Sequence, residues 1–414
     1  TDDASLAGLM PVCVRSLQMC MHETYMDCPY YEQLMYAGDT RVQALLTYAL
    51  TTDTSMPRKA LTLFDSSRKN YSGFTTSSAP SGSGQLIPPF SLWWVAMVHD
   101  LALWRGEKEF VRGIMPGVRE VLDRFWAFRN ADGLIENPPG WAFVDWQGPL
   151  LGGESSGPGA VTGAVNWQMI LVLGMAARVE EWLGEPECAA RARRRRATLL
   201  GSLEALWEEK RGMYADDLAL THFSEHSQCL ALLSGTLEDG RAHRVAGALF
   251  SEPTLVRTSI YFSHYLFEAC ALRGRTDILL DRLGPWFRLA KQGLHTTPEH
   301  FGRTRSDCHA WGAHPCYQYF TSILGIRPAS MGFDSVVIRP QPAGLTSAGG
   351  VLMHPRGPIE VECVRRGGTR SLSVRLPEGL DGELRWSGSR ARLVGGGTAS
   401  FRSESREGRQ GRPC

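Results

Sequence analysis

Three carboxylates fall close together near the start of the 414-residue chain: Asp27, Glu32 and Asp39, in Asp-Cys-Pro-Tyr-Tyr-Glu-Gln-Leu-Met-Tyr-Ala-Gly-Asp. A second group, Glu299, Asp307, His309 and Trp311, stands far downstream in Thr-Thr-Pro-Glu-His-Phe-Gly-Arg-Thr-Arg-Ser-Asp-Cys-His-Ala-Trp. Between them, Trp141-Ala-Phe-Val-Asp-Trp sets Asp145 among indoles, and Phe90-Ser-Leu-Trp-Trp supplies Trp93 and Trp94. Carboxylates accept hydrogen bonds from sugar hydroxyls, and indole faces cover the apolar face of a pyranose. Glycosidic cleavage needs one carboxylic acid to protonate the leaving oxygen and a second carboxylate to activate water or attack the anomeric carbon. The residue types therefore point to carbohydrate chemistry.

Simpler roles compete for each residue. Asp39 directly precedes the apolar run Val42–Leu50 and is placed to cap a helix. Asp27, ahead of Cys28-Pro29, is placed to make a turn. Glu299 follows Pro298 in a loop, with Asp307 as a nearby rival. His309, His314, Cys308 and Cys316 suggest zinc. However, the histidines are five apart, off the same-face spacing, and no second compact ligand pair exists, so neither metal nor cofactor is expected. There is no phosphate loop, no Gly-x-Ser-x-Gly elbow and no dinucleotide fingerprint beside a strand.

In this order the residues resemble the bacterial α-L-rhamnosidases of glycoside hydrolase family seventy-eight. The Asp27–Asp39 motif and Arg305–Pro315 carry the resemblance, supported by Phe-Ser-Leu-Trp-Trp and Phe-Val-Asp-Trp, and it extends from the chain start to about Gly350. It implies an (α/α)6 toroid followed by a small antiparallel β-sandwich, and cofactor-free hydrolysis of terminal α-L-rhamnosyl residues with inversion. Glu32 then matches the general acid and Glu299 the general base. Asp27 and Asp39 match carboxylates that hold sugar hydroxyls, and His309 matches a histidine lining the sugar subsite, with Trp311 beside it in the motif. Trp94 and Trp146 would face the sugar, with Asp145 beside them. For Glu32 to keep its proton at neutral pH, burial or the neighbours Asp27 and Asp39 must raise its pKa. Met35 stands where the family pattern has a polar residue, which removes a sugar-edge hydrogen bond. Family members usually carry β-domains ahead of the toroid, and none precedes it in this sequence. The alternatives are a glycosidase or phosphorylase of another sugar on a similar toroid, separable by phosphate dependence, and an inactive truncated sugar-binding module. The presence of both Glu32 and Glu299 argues against the last.

The elements that must position these residues are mostly helices. Val42, Leu45, Leu46, Ala49 and Leu50 share one helical face, as do Val118, Val121, Leu122 and Phe125, and the set Leu199, Leu200, Leu203, Leu206 and Trp207. Further helices are expected around 6–21, 57–69, 90–105, 165–183, 227–234, 259–271, 276–291 and 309–324. Helices without strand alternation argue against a βαβ fold. Three segments lack helical period and read as loops: 72–84, small and flexible, then 136–159 and 293–307, and long loops in compact domains usually carry function. Short β-prone runs then succeed one another from Val336 to Trp386. The expected organisation is a catalytic helical domain over 1–328, a β-sandwich over 329–399 and a disordered Arg-rich tail over 400–414.

A formal net charge of +1 gives no field to recruit nucleic acid or an anionic membrane. The run Arg191–Arg196 reads as a solvated helix face. Ten scattered cysteines read as free thiols in a chain of this length. No stretch is long and apolar enough to cross a bilayer and no signal peptide is visible, so a cytoplasmic location and a rhamnosylated small molecule or oligosaccharide as the partner are expected.

Overall fold

The computed structural model describes residues 1–82 and 84–404. Twelve helices pair into six hairpins that close into a ring. The inner members are Ala37–Leu50, Pro88–Arg105, Gly163–Leu183, Glu225–Ser234, Ser263–Leu272 and His314–Gln318. Each touches the next, and the last meets the first. The outer members are Ala4–Met19, Ser55–Ser67, Lys108–Ala127, Pro186–Ser202, Asp239–Ser251 and Thr276–Arg282.

Sequence pattern decides which ring a helix joins. Lys108–Ala127 buries a single stripe, Val111, Ile114, Met115, Val118, Val121, Leu122 and Phe125, and leaves a charged outer face. Pro88–Arg105 is apolar around its circumference and buries every residue except Leu103 and Arg105. Its Pro88 and Pro89 sit in the first turn, where no intrahelical N–H is needed. Polar residues on the inner helices are paired. Arg41 donates to Asp100 at 3.0 Å and to the Tyr265 hydroxyl at 3.2 Å, and its guanidinium lies 4.9 Å from the Trp93 ring. Glu225, fully buried, accepts from Arg257, Arg282 and Thr258.

After the ring come two four-stranded sheets. One runs Thr398–Glu404, Thr369–Arg375, Gly357–Arg366, Ser347–His354, all antiparallel. The other runs Ile326–Pro328, Ser335–Ile338, Asp381–Trp386, Ser389–Leu393, and within it Ser335–Ile338 and Asp381–Trp386 are parallel. The junction is tight. Gly325 takes φ +69°, and a Cβ there would meet Arg339 backbone oxygen at 1.9 Å. Arg327 forms a two-pronged ion pair with Glu268 of the ring at 2.7 and 3.0 Å.

Several expectations change. Strand Ile326–Pro328 already belongs to the β-unit, and strand Thr398–Glu404 runs past 399, so 400–404 is paired sheet; residues 405–414 lie outside the described residues. The segment 72–84 is no flexible loop: residues 73–79 are buried, Thr75 is bonded to Ser91, and Ser77 O accepts from Ala37 N. The helix expected over 276–291 breaks at Gly284-Pro285, where proline cannot donate. The stretch 309–324 is a 3-10 turn, a short α-helix and a π-turn in succession. Helix Asp239–Ser251 was not anticipated. The Arg191–Arg196 run lies on an outer helix, with Arg195 paired to Asp123 and Arg193 to Glu181. The nine described cysteines are free. No described helix is long and apolar enough to cross a membrane.

Candidate active site

The segments that lead into four inner helices converge on one cavity of about 490 Å³. The first supplies Asp27, Glu32, Tyr36 and Asp39; the second Gln85, Ile87 and Phe90; the third Trp141, Phe143 and Trp146; the fourth Glu299, His300, Arg303, Arg305, His309 and Trp311. Glu32 and Glu299, nearly the whole ring apart in sequence, thus face a common space.

The 27–34 loop is closed at its neck: Asp27 N donates to Leu34 O at 2.8 Å, and Leu34 N donates to Asp27 Oδ1 at 2.9 Å. Asp27 O accepts from Ala310 N at 3.1 Å, which docks this loop on the fourth segment. Gly38 allows the chain to pass the aromatic wall, since a Cβ there would meet the Phe90 ring at 2.6 Å and the Tyr261 hydroxyl at 2.8 Å. The fourth segment doubles back on itself through Glu299 N to Ser306 O, 2.9 Å, and His309 N to Thr297 O, 2.7 Å. Trp311 Nε1 donates to Glu299 O at 3.1 Å, fixing the backbone that carries this carboxylate.

Glu32 is partly exposed and its carboxylate accepts from Arg305, whose guanidinium also stands 5.5 Å from the Tyr31 ring. Tyr36 is half-buried beside Glu32; burial and then the Glu32 charge push its phenol up. Glu299 is almost buried, with Oε1 3.7 Å from His300 Nε2. Asp39 occupies the first turn of Ala37–Leu50, and its Oδ1 lies 3.0 Å from His309 Nε2. Burial pushes the Asp39 carboxyl well above its ordinary range, and the charges of Glu32 and Glu299 push the same way. Burial pushes His309 down, against the pull of Asp27. Asp27 is raised by burial, partly offset by His309. Burial thus raises both carboxyls that stand behind the pair, Asp27 and Asp39.

The expected site residues divide. Asp27, Glu32, Asp39, Trp146, Glu299, His309 and Trp311 line the cavity. Trp94 does not: it is fully buried, turned outward from the ring centre, and its Nε1 donates to Leu61 O at 3.2 Å. The helical period, which turns neighbouring residues about 100° apart, sends Trp93 and Trp94 to different surroundings. Asp145 is also absent from the surface of the cavity. Fully buried, it accepts from His226 Nε2 at 2.6 Å, Ser259 N at 2.9 Å and Ser259 Oγ, and its Oδ1 accepts from Trp146 N at 2.9 Å. It holds the indole-bearing loop from behind. Asp39 is not a cap: Tyr36 precedes the helix without a side-chain cap bond. Met35 lies buried in the core, outside the cavity lining, so its thioether removes nothing from the sugar edge. Asp307 is outside the lining as well. The zinc-like set disperses, with His314 Nε2 bonded to Ile260 O and Cys316 buried.

Sequence reasoning missed Trp141, Phe143, Ile87, Phe90, His300 and Arg305 as wall residues. Alternation in Trp141-Ala-Phe was a usable signal, since residues two apart in extended chain share a side. Trp146, 40 % exposed, packs edgewise on Phe143 at 4.9 Å and leaves a face open. The arrangement can cradle a pyranose between aromatic walls, bind its hydroxyls on buried carboxylates and a histidine, and set two further carboxylates at its margin.

The bacterial alpha-L-rhamnosidase 6 hairpin glycosidase domain model matches residues 1–323, and the bacterial alpha-L-rhamnosidase C-terminal domain model matches residues 325–399. No curated protein matches the chain. Among solved structures, the GH78 family rhamnosidase of Bacillus sp. GL1 is 27% identical with a TM-score of 0.85, over 93% of this chain and 42% of that one. The native rhamnosidase of Aspergillus terreus is 18% identical with a TM-score of 0.84, over 98% of this chain and 49% of that one. The rhamnosidase of Klebsiella oxytoca with rhamnose bound is 23% identical with a TM-score of 0.67, over 77% of this chain and 64% of that one. The last two likenesses concern the fold. The chain spans less than two thirds of each of these proteins.

Proposed function

The chain belongs to the bacterial α-L-rhamnosidase family, and from that premise we propose that it hydrolyses terminal α-L-rhamnosyl residues with inversion, Glu32 acting as general acid and Glu299 as general base. The observation that carries this reading is the meeting of Glu32 and Glu299 in one aromatic-walled cavity whose floor is Asp27, Asp39 and His309.

Glu32 is partly solvent-facing, on the side where an aglycone enters, and donates a proton to the glycosidic oxygen as the bond stretches toward an oxocarbenium-like state. Arg305, which meets Glu32 at the cavity wall, must give way to that oxygen and then stands ready to hold the aglycone. Glu299, almost buried and fixed through its backbone by Trp311, takes a proton from water on the opposite ring face. Inversion calls for roughly 6.5–9.5 Å between the two carboxyls, room for that water. Asp27 and Asp39 bind ring hydroxyls through their carboxyl oxygens. Rhamnose carries a methyl group where most hexoses carry a hydroxymethyl; Ile87, Phe90 and Phe143 offer it an apolar wall.

The test is release of L-rhamnose from an aryl α-L-rhamnoside, with and without inorganic phosphate. Hydrolysis that ignores phosphate supports the reading. Strict dependence on phosphate, or sugar binding without release, contradicts it.

A further inference from the structure

We propose that the floor of the cavity is also a site for a thiophilic divalent cation of the Zn2+ and Cd2+ class, held by the Asp27 carboxylate, the Cys28 thiolate and His309 Nδ1. One ligand atom from each of these three buried residues lies within 4.8 Å of the other two. Ligands about 2.0–2.3 Å from a tetrahedral zinc stand roughly 3.3–3.8 Å apart, so the three side chains need to close by at most about 1.5 Å to hold the ion. The set mixes sulfur, imidazole and carboxylate, the donors that favour zinc and cadmium over calcium or magnesium.

A second observation points to a ligand here. His309 is 5% exposed, and its Nδ1 is buried without a hydrogen-bond partner. Its other nitrogen, Nε2, is held by Asp39 Oδ1 at 3.0 Å. A carboxylate on the far nitrogen orients a metal-binding imidazole and fixes the tautomer that leaves the near nitrogen free to coordinate. The backbone is already tied in place: Asp27 is bonded to Leu34 on one side and to Ala310, next to His309, on the other. Asp27 Oδ1 accepts from Leu34 N, and the Cys28 thiol, which receives a 3.5 Å contact from Glu32 N, is itself bonded to the Asp27 carboxyl, so sulfur and carboxylate already face one another.

Binding is a proton exchange with no change of oxidation state. The Cys28 S–H bond breaks, its proton passes to solvent, and the sulfur lone pair binds the cation while Asp27 and the neutral imidazole complete three ligands. The fourth position opens on the cavity, to water. Because the ion takes Asp27 and His309, the groups assigned above to sugar hydroxyls, cation and sugar exclude each other; this clause rests on the proposed function, and the cation site itself does not.

Cd2+ titration of the intact protein tests the site, followed by near-ultraviolet thiolate-to-cadmium charge-transfer absorption. The wild type should bind one Cd2+ with the band, Cys28→Ser should lose it, and Asp39→Asn should weaken binding by ~10–100-fold. Cys308→Ser should keep the band. That variant is needed because Cys20 and Cys308 sulfurs lie 4.0 Å apart and offer a rival thiol pair. Circular dichroism of each variant checks folding. A wild type without the band, or a band kept in folded Cys28→Ser and lost in Cys308→Ser, overturns the proposal. L-rhamnose should raise the Cd2+ concentration needed; full Cd2+ binding in a protein that binds no L-rhamnose keeps the cation site and removes the sugar assignment alone.

Discussion

Replacing Asp145 with Asn separates a residue that touches sugar from one that holds the wall behind it. Its carboxylate faces donors on every side: Ser259 N, Ser259 Oγ, His226 Nε2 and Trp146 N. Asn keeps the shape but turns an NH2 toward at least one of them. His226 is best able to adapt, by moving its proton to Nδ1. That atom is buried without a partner, so the exchange trades one unsatisfied group for another. Breaking a buried, charge-assisted set of this kind costs about 3–5 kcal/mol. With an unfolding entropy of ~2.1 cal/mol/K per residue, a loss of 4 kcal/mol across a ring of 323 residues lowers Tm by roughly 6 °C. Calorimetry of the ring transition reads this directly. Kinetics on an aryl rhamnoside should show KM raised, because Trp146 is no longer held, and an unchanged pH-profile shape, because Asp145 exchanges no proton with substrate. A variant with wild-type Tm that loses one limb of the pH profile would refute the reasoning and return Asp145 to the chemistry.

Glu32→Gln should lose ~10²–10⁴-fold in kcat on a rhamnoside with a poor leaving group and far less on a nitrophenyl one, whereas Glu299→Gln should lose alike on both; equal losses in Glu32→Gln on the two substrates would count against the acid. Trp94→Phe should cost about 1–3 kcal/mol in urea denaturation, through its lost bond to Leu61 and lost volume, and leave KM unchanged; a raised KM would put the indole back in the cavity. Stability should fall on acidification below pH 6.5. Burial brings His264 down to about 4 and His314 to about 3, so in the window from 6.5 down to those values the unfolded chain takes up protons that the folded one refuses, roughly 3 kcal/mol for each by pH 4. Glu268, where burial is overcome by Arg327, His264 and Gln318 together and the carboxyl lies at about 2, extends the loss below pH 4.5. Asp216, raised to about 6 by burial, acts oppositely between 6 and 4, as do the raised Asp27 and Asp39, while the lowered His309 and His99 join His264 and His314 on the losing side. Urea midpoints that stay flat from pH 7.5 to 4 would contradict this balance.

The ring was legible because outer helices carry their stripe in plain sequence, and because inner helices such as Gly163–Leu183 are long apolar runs. Helix Asp239–Ser251 escaped although Ala242, Val245, Ala246 and Leu249 have the spacing, since two of the four are alanines and give a faint stripe. The meeting of Glu32 and Glu299 in one cavity was legible as a motif, while the depth of each side chain was not. Asp145 and Trp94 look like site residues in a linear reading because acids and indoles sit together. Only the fold shows that one faces Ser259 and His226 and the other Leu61. Arg305 opens the stretch that carries the resemblance, but its partner Glu32 stands nearly the whole ring away in sequence, so their pairing is visible only in the fold.

Proton NMR of the first-formed sugar during hydrolysis of an aryl α-L-rhamnoside bears most directly on the two-carboxylate, single-displacement account. The account predicts β-L-rhamnose first, with the α anomer growing in only by mutarotation. Initial release of α-L-rhamnose would mean a covalent intermediate and two carboxyls roughly 5 Å apart, and would contradict it.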